Sequence, residues 1–188
     1  MALEVMREHG FSGTSATAAL VDGWTAAAAG QVEEGIASIR EGFAARRSAG
    51  QAVVDYRELG YYIDLLARSD QADEGMTVLA NTVAASSERG MTYWDAELHR
   101  LKGVLLLSLS NGSDAEAEAC FKQAIKIARG QSAKFFELRA VTDLGRLWQG
   151  QGKRSEARDL LAPVYGWFTE GFDTTDLKDA EALLDDLT

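Results

Sequence analysis

The residues that could do chemistry are few and far apart along the chain. The sequence has two histidines, His9 and His99, and one cysteine, Cys120. Neither histidine belongs to an HExxH or a Cys–His spacing of the kind that binds zinc, and Cys120 stands beside Phe121 on an apolar helix face. No GxSxG elbow for a nucleophilic serine occurs. We therefore predict no catalytic residue, no metal and no cofactor, and we expect a protein that is not an enzyme.

Two further segments are better explained by structure than by chemistry. GQGKRS (residues 150–155) fails as a phosphate loop at two positions, because Leu147 stands where the loop needs glycine and Arg154 where it needs serine or threonine. We predict a turn between helices there. His99 could join Glu97 and Arg100 in a polar cluster on a helix, and we expect its role to be a hydrogen bond to a neighbouring helix.

The net charge of −10, from 19 basic and 29 acidic side chains, argues against a nucleic-acid-binding protein. The charge is unevenly spread along the chain. Residues 98–158 carry 11 basic and 6 acidic side chains, a net +5, whereas residues 170–188 carry 1 basic and 7 acidic side chains, a net −6. A basic middle of this kind is either a solvated surface or a surface that steers an acidic partner.

Cysteine usage and hydropathy indicate the compartment. A single cysteine cannot form an intramolecular disulfide, and the N-terminal MALEVMREHG lacks the basic-then-apolar order of a secretory signal. The longest apolar run, GVLLLSL, is far shorter than the roughly 20 residues that cross a bilayer. We therefore expect a cytoplasmic protein that does not span a membrane.

The elements that position these residues are marked by regularly spaced glycines. A glycine just past the end of a helix accepts the left-handed conformation that closes the last turn. One proline and 18 glycines also suit helices separated by turns better than a β-sandwich. We predict an all-α protein with a glycine stop about every 20 residues, a series that only the slot near residue 70 breaks. The stops are Gly10, Gly30, Gly50, Gly90, Gly112, Gly130, Gly150 and Gly171.

Alternate segments repeat with a period of about 40 residues. The small residues Gly35, Gly75, Ala117 and Ala157 are spaced by 40, 42 and 40 residues, and a larger apolar residue follows each of them four positions later. The partner segments carry apolar residues at steps of three or four, which is one helical face. Small residues recur on the partner segments where a neighbouring helix would approach closely, at Gly23, Gly103 and Gly145.

A helix with one apolar stripe must bury it against neighbouring helices, and stacked helix pairs achieve this together. We therefore predict one domain over residues 1–188, a right-handed solenoid of antiparallel helix pairs with about ten helices. Its predicted parts are a half repeat at 1–11, helix pairs at 12–50, 51–90, 91–130 and 131–172, and a capping helix at 173–188.

The C-terminal segment holds the only proline, Pro163, and a cluster of aromatic residues. Pro163 is expected to bend or break its helix towards Gly166. We expect Trp167, Phe168 and Phe172 to form the seam between the array and its cap. The cap would begin at Asp173, Thr174 or Thr175 and bury one apolar face, made of Leu177, Ala180, Leu184 and Leu187.

This organisation resembles the tetratricopeptide repeat, with a period of about 40 residues in place of 34. The resemblance is most specific in HGF (9–11), YWDAELHRLKG (93–103) and LLAPVYGWFTEGFDTTDLKDAEALL (160–184). Together with EEGI and DEGM, these segments look like the C-terminal tetratricopeptide-like region of bacterial signalling proteins. In such proteins a class III adenylate or guanylate cyclase domain and an AAA-type or STAND-type ATPase domain usually precede the repeats.

The resemblance implies a groove, lined by the first helix of each pair, that accepts a segment of a partner protein. Positions counted from Gly103 and Gly145 select four of the candidate groove residues, comparable positions in the second pair select three, and Trp94 completes the set. They could pair with an acidic or mixed-charge ligand. The candidates are Arg57, Asp64, Arg68, Trp94, Glu97, Arg100, Arg139 and Arg146.

Three functions follow as hypotheses. The first is a non-enzymatic module that binds a protein or peptide and relays or scaffolds a regulatory input. The cyclase or ATPase domains of a parent protein are the candidate partners. The second is a sensor region that recognises a small effector. The third is self-association into a homodimer through the apolar edge of the half repeat, where Leu3, Val5 and Met6 lie. The half repeat also suggests either a fragment of a longer protein or a short gene that retains only the repeats.

Overall fold

The computed structural model describes residues 12–50, 56–109 and 113–188. All regular secondary structure in these ranges is helical, which confirms the predicted all-α class. The helices are α1 (Ser12–Ala28), α2 (Val32–Ser48), α3 (Tyr56–Arg68), α4 (Ala72–Glu88), α5 (Asp95–Ser108), α6 (Asp114–Gly130), α7 (Lys134–Gly150), α8 (Arg154–Tyr165) and α9 (Thr175–Asp186). The half repeat predicted at residues 1–11 lies outside the described residues, as do Gly10 and Gly112.

The second helices of the four pairs begin at Val32, Ala72, Asp114 and Arg154, at spacings of 40, 42 and 40 residues. These are the spacings of the sequence repeat. By contacts the chain divides into two compact units between Gly75 and Met76. In the first unit α2 packs against both α1 and α3.

Close approach between α1 and α2 depends on glycine. A Cβ atom added to Gly23 would lie 2.8 Å from the carbonyl oxygen of Gly35, and one added to Gly35 would lie 2.7 Å from the carbonyl oxygen of Gly23. The backbones of the two helices therefore touch where the sequence places small residues. The fully buried Leu20, Ile36 and Ile39 surround this contact with an apolar core.

In the second unit α7 is the central helix. It packs against α5, α6, α8 and α9, and α5 and α9 also contact α6 and α8 respectively. One hydrophobic core runs through this unit and includes the fully buried Phe121, Leu138, Leu144 and Leu161. Neighbouring helix pairs thus share a continuous core, as stacked amphipathic helices require.

The helix ends follow the predicted glycine stops with a shift in the C-terminal half. Left-handed backbone conformations occur at Gly30, Gly50, Gly90 and Gly171. Gly130 and Gly150, however, are the last residues of α6 and α7, and the left-handed residues lie two positions later, at Ser132 and Gly152. Asp70 takes the left-handed conformation in the slot that lacks glycine, which is a conformation that aspartate tolerates.

Pro163 does not break its helix at once. α8 continues through Pro163 to Tyr165, and Gly166 is the residue that follows the last turn. The proline removes the backbone donor of one i→i−4 hydrogen bond, and the helix ends two residues after it. The predicted end near Gly166 is therefore where the helix stops.

The terminal helix α9 packs its apolar face against α7 and α8. The buried residues are Leu177, Ala180, Leu183 and Leu187, so Leu183 takes the core position that the sequence pattern assigned to Leu184. A Cβ atom added to Gly145 would lie 3.1 Å from a methyl group of Leu183, which shows how closely α9 approaches α7. Thr174 precedes the helix, and its hydroxyl donates to the Gly171 carbonyl oxygen at 2.7 Å.

No helix in the described ranges is long and apolar enough to cross a bilayer.

The packing of Gly103 predicts a stability difference between two glycine-to-alanine variants. A Cβ atom at Gly103 would lie 2.5 Å from Cε1 of the fully buried Phe121 ring, whereas one at Gly130 would meet no atom within 4 Å. We expect Gly103→Ala to lower the free energy of unfolding by about 1–3 kcal/mol, the usual range for overpacking. Gly130→Ala should be neutral or slightly stabilising, because alanine is the better helix former. Urea unfolding followed by circular dichroism measures both, and equal stability of the two variants would contradict the close packing.

Candidate protein-binding face

A buried ion pair on α5 is the centre of the face that carries most predicted groove residues. The side chains of Glu97 and Arg100 are 2% and 5% exposed. Arg100 donates two hydrogen bonds to the Glu97 carboxylate, from Nε at 2.9 Å and from Nη2 at 2.8 Å. Residues three apart lie on the same side of a helix, and the planar guanidinium fits a carboxylate in this two-bond geometry.

The neighbouring helix α7 completes the pairing. Arg139 Nη1 lies 2.6 Å from Glu97 Oε1, and Arg100 Nη1 donates to Asp143 Oδ2 at 2.6 Å. Each buried charge on α5 therefore has a partner of opposite sign on α7. Because an unpaired charge in such a site would be costly, these bonds tie α5 and α7 together in one register.

The network extends at its exposed margin to α9. Arg139 Nε lies 3.5 Å from Asp176 Oδ1, and Arg146 lies 3.4 Å from Asp143 and 3.5 Å from Asp179. Burial raises the pKa of Asp176 above its ordinary value; Arg139 works against this shift and Glu97 adds to it. We call the whole set the charged face. It consists of Glu97, Arg100, Arg139, Asp143, Arg146, Asp176 and Asp179.

The charged face has three arginines and four carboxylates, so its cations are neutralised within the fold. An acidic ligand would have to compete with these internal partners for Arg100 and Arg139. The role of these residues in binding stays a prediction, but their ion pairs connect helices directly. They hold three neighbouring helices, α5, α7 and α9, in contact.

Aromatic side chains continue this face at the N-terminal ends of α5 and α7. Trp94 lies three residues before Glu97, and Phe136 three residues before Arg139; their ring centroids are 5.2 Å apart. Tyr93 packs against Trp94 at 6.0 Å. Phe135 is next to Phe136 in the sequence, and its ring belongs to a second group of aromatic residues.

Phe168 and Trp167, which follow α8, form this second group together with Phe135. The rings of Phe135 and Phe168 are 5.1 Å apart, and those of Phe168 and Trp167 are 5.2 Å apart. We call these six residues the aromatic row: Tyr93, Trp94, Phe136, Phe135, Phe168 and Trp167.

The aromatic row is only partly needed for packing. Phe168 is buried, in agreement with the predicted seam between array and cap, but Trp167 is 58% exposed and Phe172 is 43% exposed. Tyr93 and Phe135 are also about half exposed, at 56% and 48%. Large apolar side chains that lie together on a surface are typical of interaction sites.

A second buried carboxylate lies beside the row. Glu137, 3% exposed, accepts hydrogen bonds at 2.7 Å from both Arg129 and Lys134. Burial alone would raise the pKa of Glu137, but the two cations outweigh it and hold this pKa below its usual value. The Lys134 ammonium also lies 5.7 Å from the centre of the Trp167 ring, a cation–π distance.

The remaining predicted groove residues lie in the first unit. Arg57, Asp64 and Arg68 line an open cavity of about 720 Å³ on α3, together with Trp24 and the exposed Tyr61. Arg68 pairs with Asp64 at 3.2 Å on the same helix. These residues share one face, as predicted.

His99 does not join Glu97 and Arg100. It lines a separate cavity of about 600 Å³ between α4 and α5, whose walls include Leu79, Val83 and Lys102. Two residues along a helix point in different directions, which places His99 away from the ion pair. Burial lowers the pKa of His99 and raises that of Cys120. Among the described residues, no group of three or more His, Cys, Asp or Glu side chains is placed to hold a metal ion.

Sequence reasoning missed three of the four carboxylates of the charged face, and of the aromatic row it assigned only Trp94 to the groove. Asp143 lies four residues after Arg139 and three before Arg146, a spacing that puts all three side chains on one side of α7. That signal could have been found. Nothing in the sequence shows that Asp176 of α9 meets Arg139, because this contact depends on how the terminal helix docks.

No family model matches the chain. An uncharacterized protein of Rhizobium meliloti is 29% identical to it over 135 residues. The match covers 71% of this chain and 13% of that relative, so the chain corresponds to a small part of a much longer protein.

The buried position of Arg100 predicts a large loss of stability when it is replaced. Arg100→Met leaves Glu97 and Asp143 without their shared partner, and we expect it to lower the free energy of unfolding by about 3–5 kcal/mol. Arg146→Met is the matched control: its side chain is 48% exposed and its ion pairs are long, so the change should cost less than about 1 kcal/mol. Similar losses for the two variants in urea unfolding would contradict a structural role for the buried pair.

The opposite pKa shifts of Asp176 and Glu137 predict opposite effects of neutral replacements. The raised pKa of Asp176 means that its charged form is disfavoured in the fold, so Asp176→Asn should increase stability at neutral pH. The lowered pKa of Glu137 means that its charged form is favoured, so Glu137→Gln should decrease stability at neutral pH.

The difference in free energy of unfolding between each variant and the unaltered protein should shrink in acid. For Asp176 the difference disappears below the ordinary aspartate pKa of about 3.9. For Glu137 it is complete above the ordinary glutamate pKa of about 4.3 and fades as the pH falls through the lowered value in the fold. Urea unfolding of each variant between about pH 3 and pH 7 measures the sign, and the same sign for both variants would show that the two environments are not opposed.

Proposed function

We propose that this chain is a non-enzymatic module that binds another protein and acts as a regulatory scaffold. Its helix pairs stack in the manner of a tetratricopeptide-like solenoid, and the first helices of the later pairs present the binding surface. The observation that carries the proposal is the aromatic row, in which Tyr93, Phe135 and Trp167 are each about half exposed beside a rigid charged face.

Rigidity of the surface supports binding by a preformed site. The ion pairs of Glu97 and Arg100 with α7 hold α5 and α7 in one register, and the Gln131 side chain donates to the Thr92 carbonyl oxygen at 2.7 Å just before α5. Exposed aromatic side chains on such a support lose little conformational entropy when a partner covers them.

The partner we favour is a domain of the same parent protein, with a cyclase or ATPase domain as the candidates. The resemblance of YWDAELHRLKG and of the C-terminal segment to repeat regions of bacterial signalling proteins supports this identity. The match to a small part of a much longer protein of Rhizobium meliloti is in keeping with it.

A sensor function is the second candidate. The cavity of about 600 Å³ between α4 and α5 has mostly apolar walls and three titratable side chains, Asp95, His99 and Lys102, which is the usual make-up of a small-molecule site. The third hypothesis, a homodimer formed through Leu3, Val5 and Met6, concerns residues outside the described ranges.

Capture of a partner from cells of the source organism tests the proposed function. The immobilised chain should retain a defined protein, and the double variant Phe135→Ser/Trp167→Ser should weaken that binding at least about tenfold, because central aromatic contacts carry most interface energy. Val21→Ser is the control, since Val21 is 55% exposed, lies on α1 in the first unit and lines neither of the two cavities described above.

Two results would count against the proposal. Equal retention by Phe135→Ser/Trp167→Ser and Val21→Ser would remove the aromatic row from the interface. ATP hydrolysis by the purified chain, measured as phosphate release, would contradict a non-enzymatic role. Light scattering on the same sample separates partner binding from self-association.

A further inference from the structure

We infer that the aromatic row binds an acidic segment of its partner, one in which carboxylates flank aromatic or long aliphatic side chains. This inference rests on the proposed function and specifies the chemistry of the ligand. It depends on the charges around Lys134, Arg129 and Glu137, which lie directly beside the exposed rings of the row.

An uncompensated positive charge lies beside Trp167 of the row. Glu137 is a single carboxylate that is 3% exposed, and it pairs with two cations, Arg129 and Lys134. The side chain of Arg129 is 55% exposed and that of Lys134 is 34% exposed, so both cations reach solvent while their shared counter-ion does not. One unit of positive charge is therefore available to a ligand.

The backbone at the same place adds to this charge. Ala133 precedes α7 and provides no side-chain acceptor, so the first amide groups of the helix, at Lys134, Phe135 and Phe136, have no side-chain cap. The N-terminal end of a helix carries a partial positive charge that favours nearby anions. A carboxylate next to Phe135 would meet both the ammonium of Lys134 and this end of α7.

The rings of the row provide the apolar half of the site. Phe135 and Trp167 both pack on the buried Phe168, which fixes their positions while leaving about half of each exposed. A ligand side chain placed on them gains apolar contact, and its neighbouring carboxylate gains the Lys134 charge. A basic segment would instead bring its own cations close to Arg129 and Lys134.

Cations beside exposed rings also suit single-stranded nucleic acid, whose bases stack on aromatic side chains. The charge of the whole chain, −10, opposes this ligand, and the acidic residues Asp176 and Asp179 of α9 lie on the adjoining charged face. An acidic polypeptide segment is short enough to use the local positive charge. The observations therefore favour a peptide.

A phage-displayed random-peptide library, selected on the full chain, tests the inference. The enriched peptides should combine acidic residues with aromatic or long aliphatic ones. A synthetic peptide of the enriched sequence should bind about tenfold more weakly to Lys134→Met, which keeps the stem over Trp167 but removes the charge. Arg158→Met removes an exposed charge from α8 and should leave binding unchanged. Binding should also weaken as salt is raised.

The outcomes separate the inference from the proposed function. Enriched peptides without acidic residues, or binding that Lys134→Met does not change, would overturn the acidic ligand and leave a protein-binding module in place. Tighter binding of a single-stranded oligonucleotide than of the acidic peptide would overturn it in favour of nucleic acid. If no peptide depends on Phe135 and Trp167, both the inference and the role of the row fail. Circular dichroism of each variant shows that the helices are intact.

Discussion

Every helix in the described part of this protein is too short, at 12–17 residues, to be stable without burying its apolar stripe against others. The rest of the structure follows from that constraint. Gly23 and Gly35 let two backbones touch in the first unit, and Gly103 makes room for the Phe121 ring in the second. The last helix, α9, lies close to α7, where Leu183 packs over Gly145. Replacement of the small residues would separate helices that have no other way to exclude water.

The charged face pairs the charges that close packing of α5 and α7 removes from water. Once α5 and α7 approach each other, Glu97 and Arg100 are removed from water and must find partners within the fold. Arg139 and Asp143 supply them from the neighbouring helix. The arginines of the charged face, which the sequence predicts as ligand contacts, therefore serve mainly to hold helices together. The exposed rings beside them, and the shared charge of Lys134 and Arg129, are the features left available to a partner.

Much of the fold could be predicted because its signals are local. The 40-residue spacing of Gly35, Gly75, Ala117 and Ala157 marks the second helices, and Ser113 caps α6 by accepting a hydrogen bond from the Glu116 amide, as the SDAE pattern indicates. The candidate site was less predictable. Four of the eight predicted residues, Glu97, Arg100, Arg139 and Arg146, meet in one network, but their carboxylate partners Asp143, Asp176 and Asp179 were missed. The sequence pattern placed Leu184 in the core instead of Leu183 for the same reason. Both residues fit a helical spacing, and only the docking of α9 decides which one is buried.

The sequence by itself determined which segments are helical, roughly where they end, and which side of each helix is apolar. These properties depend on residues three or four apart and on the glycines that close the turns. Tertiary structure decided which charges are satisfied and which rings stay exposed. Arg100 and Asp143 are 43 residues apart, and Phe135 and Phe168 are 33 apart, so their contacts exist only after separate helices have docked. An isolated helix has the same side chains on the same face, but it cannot specify the distance or the register of its neighbour.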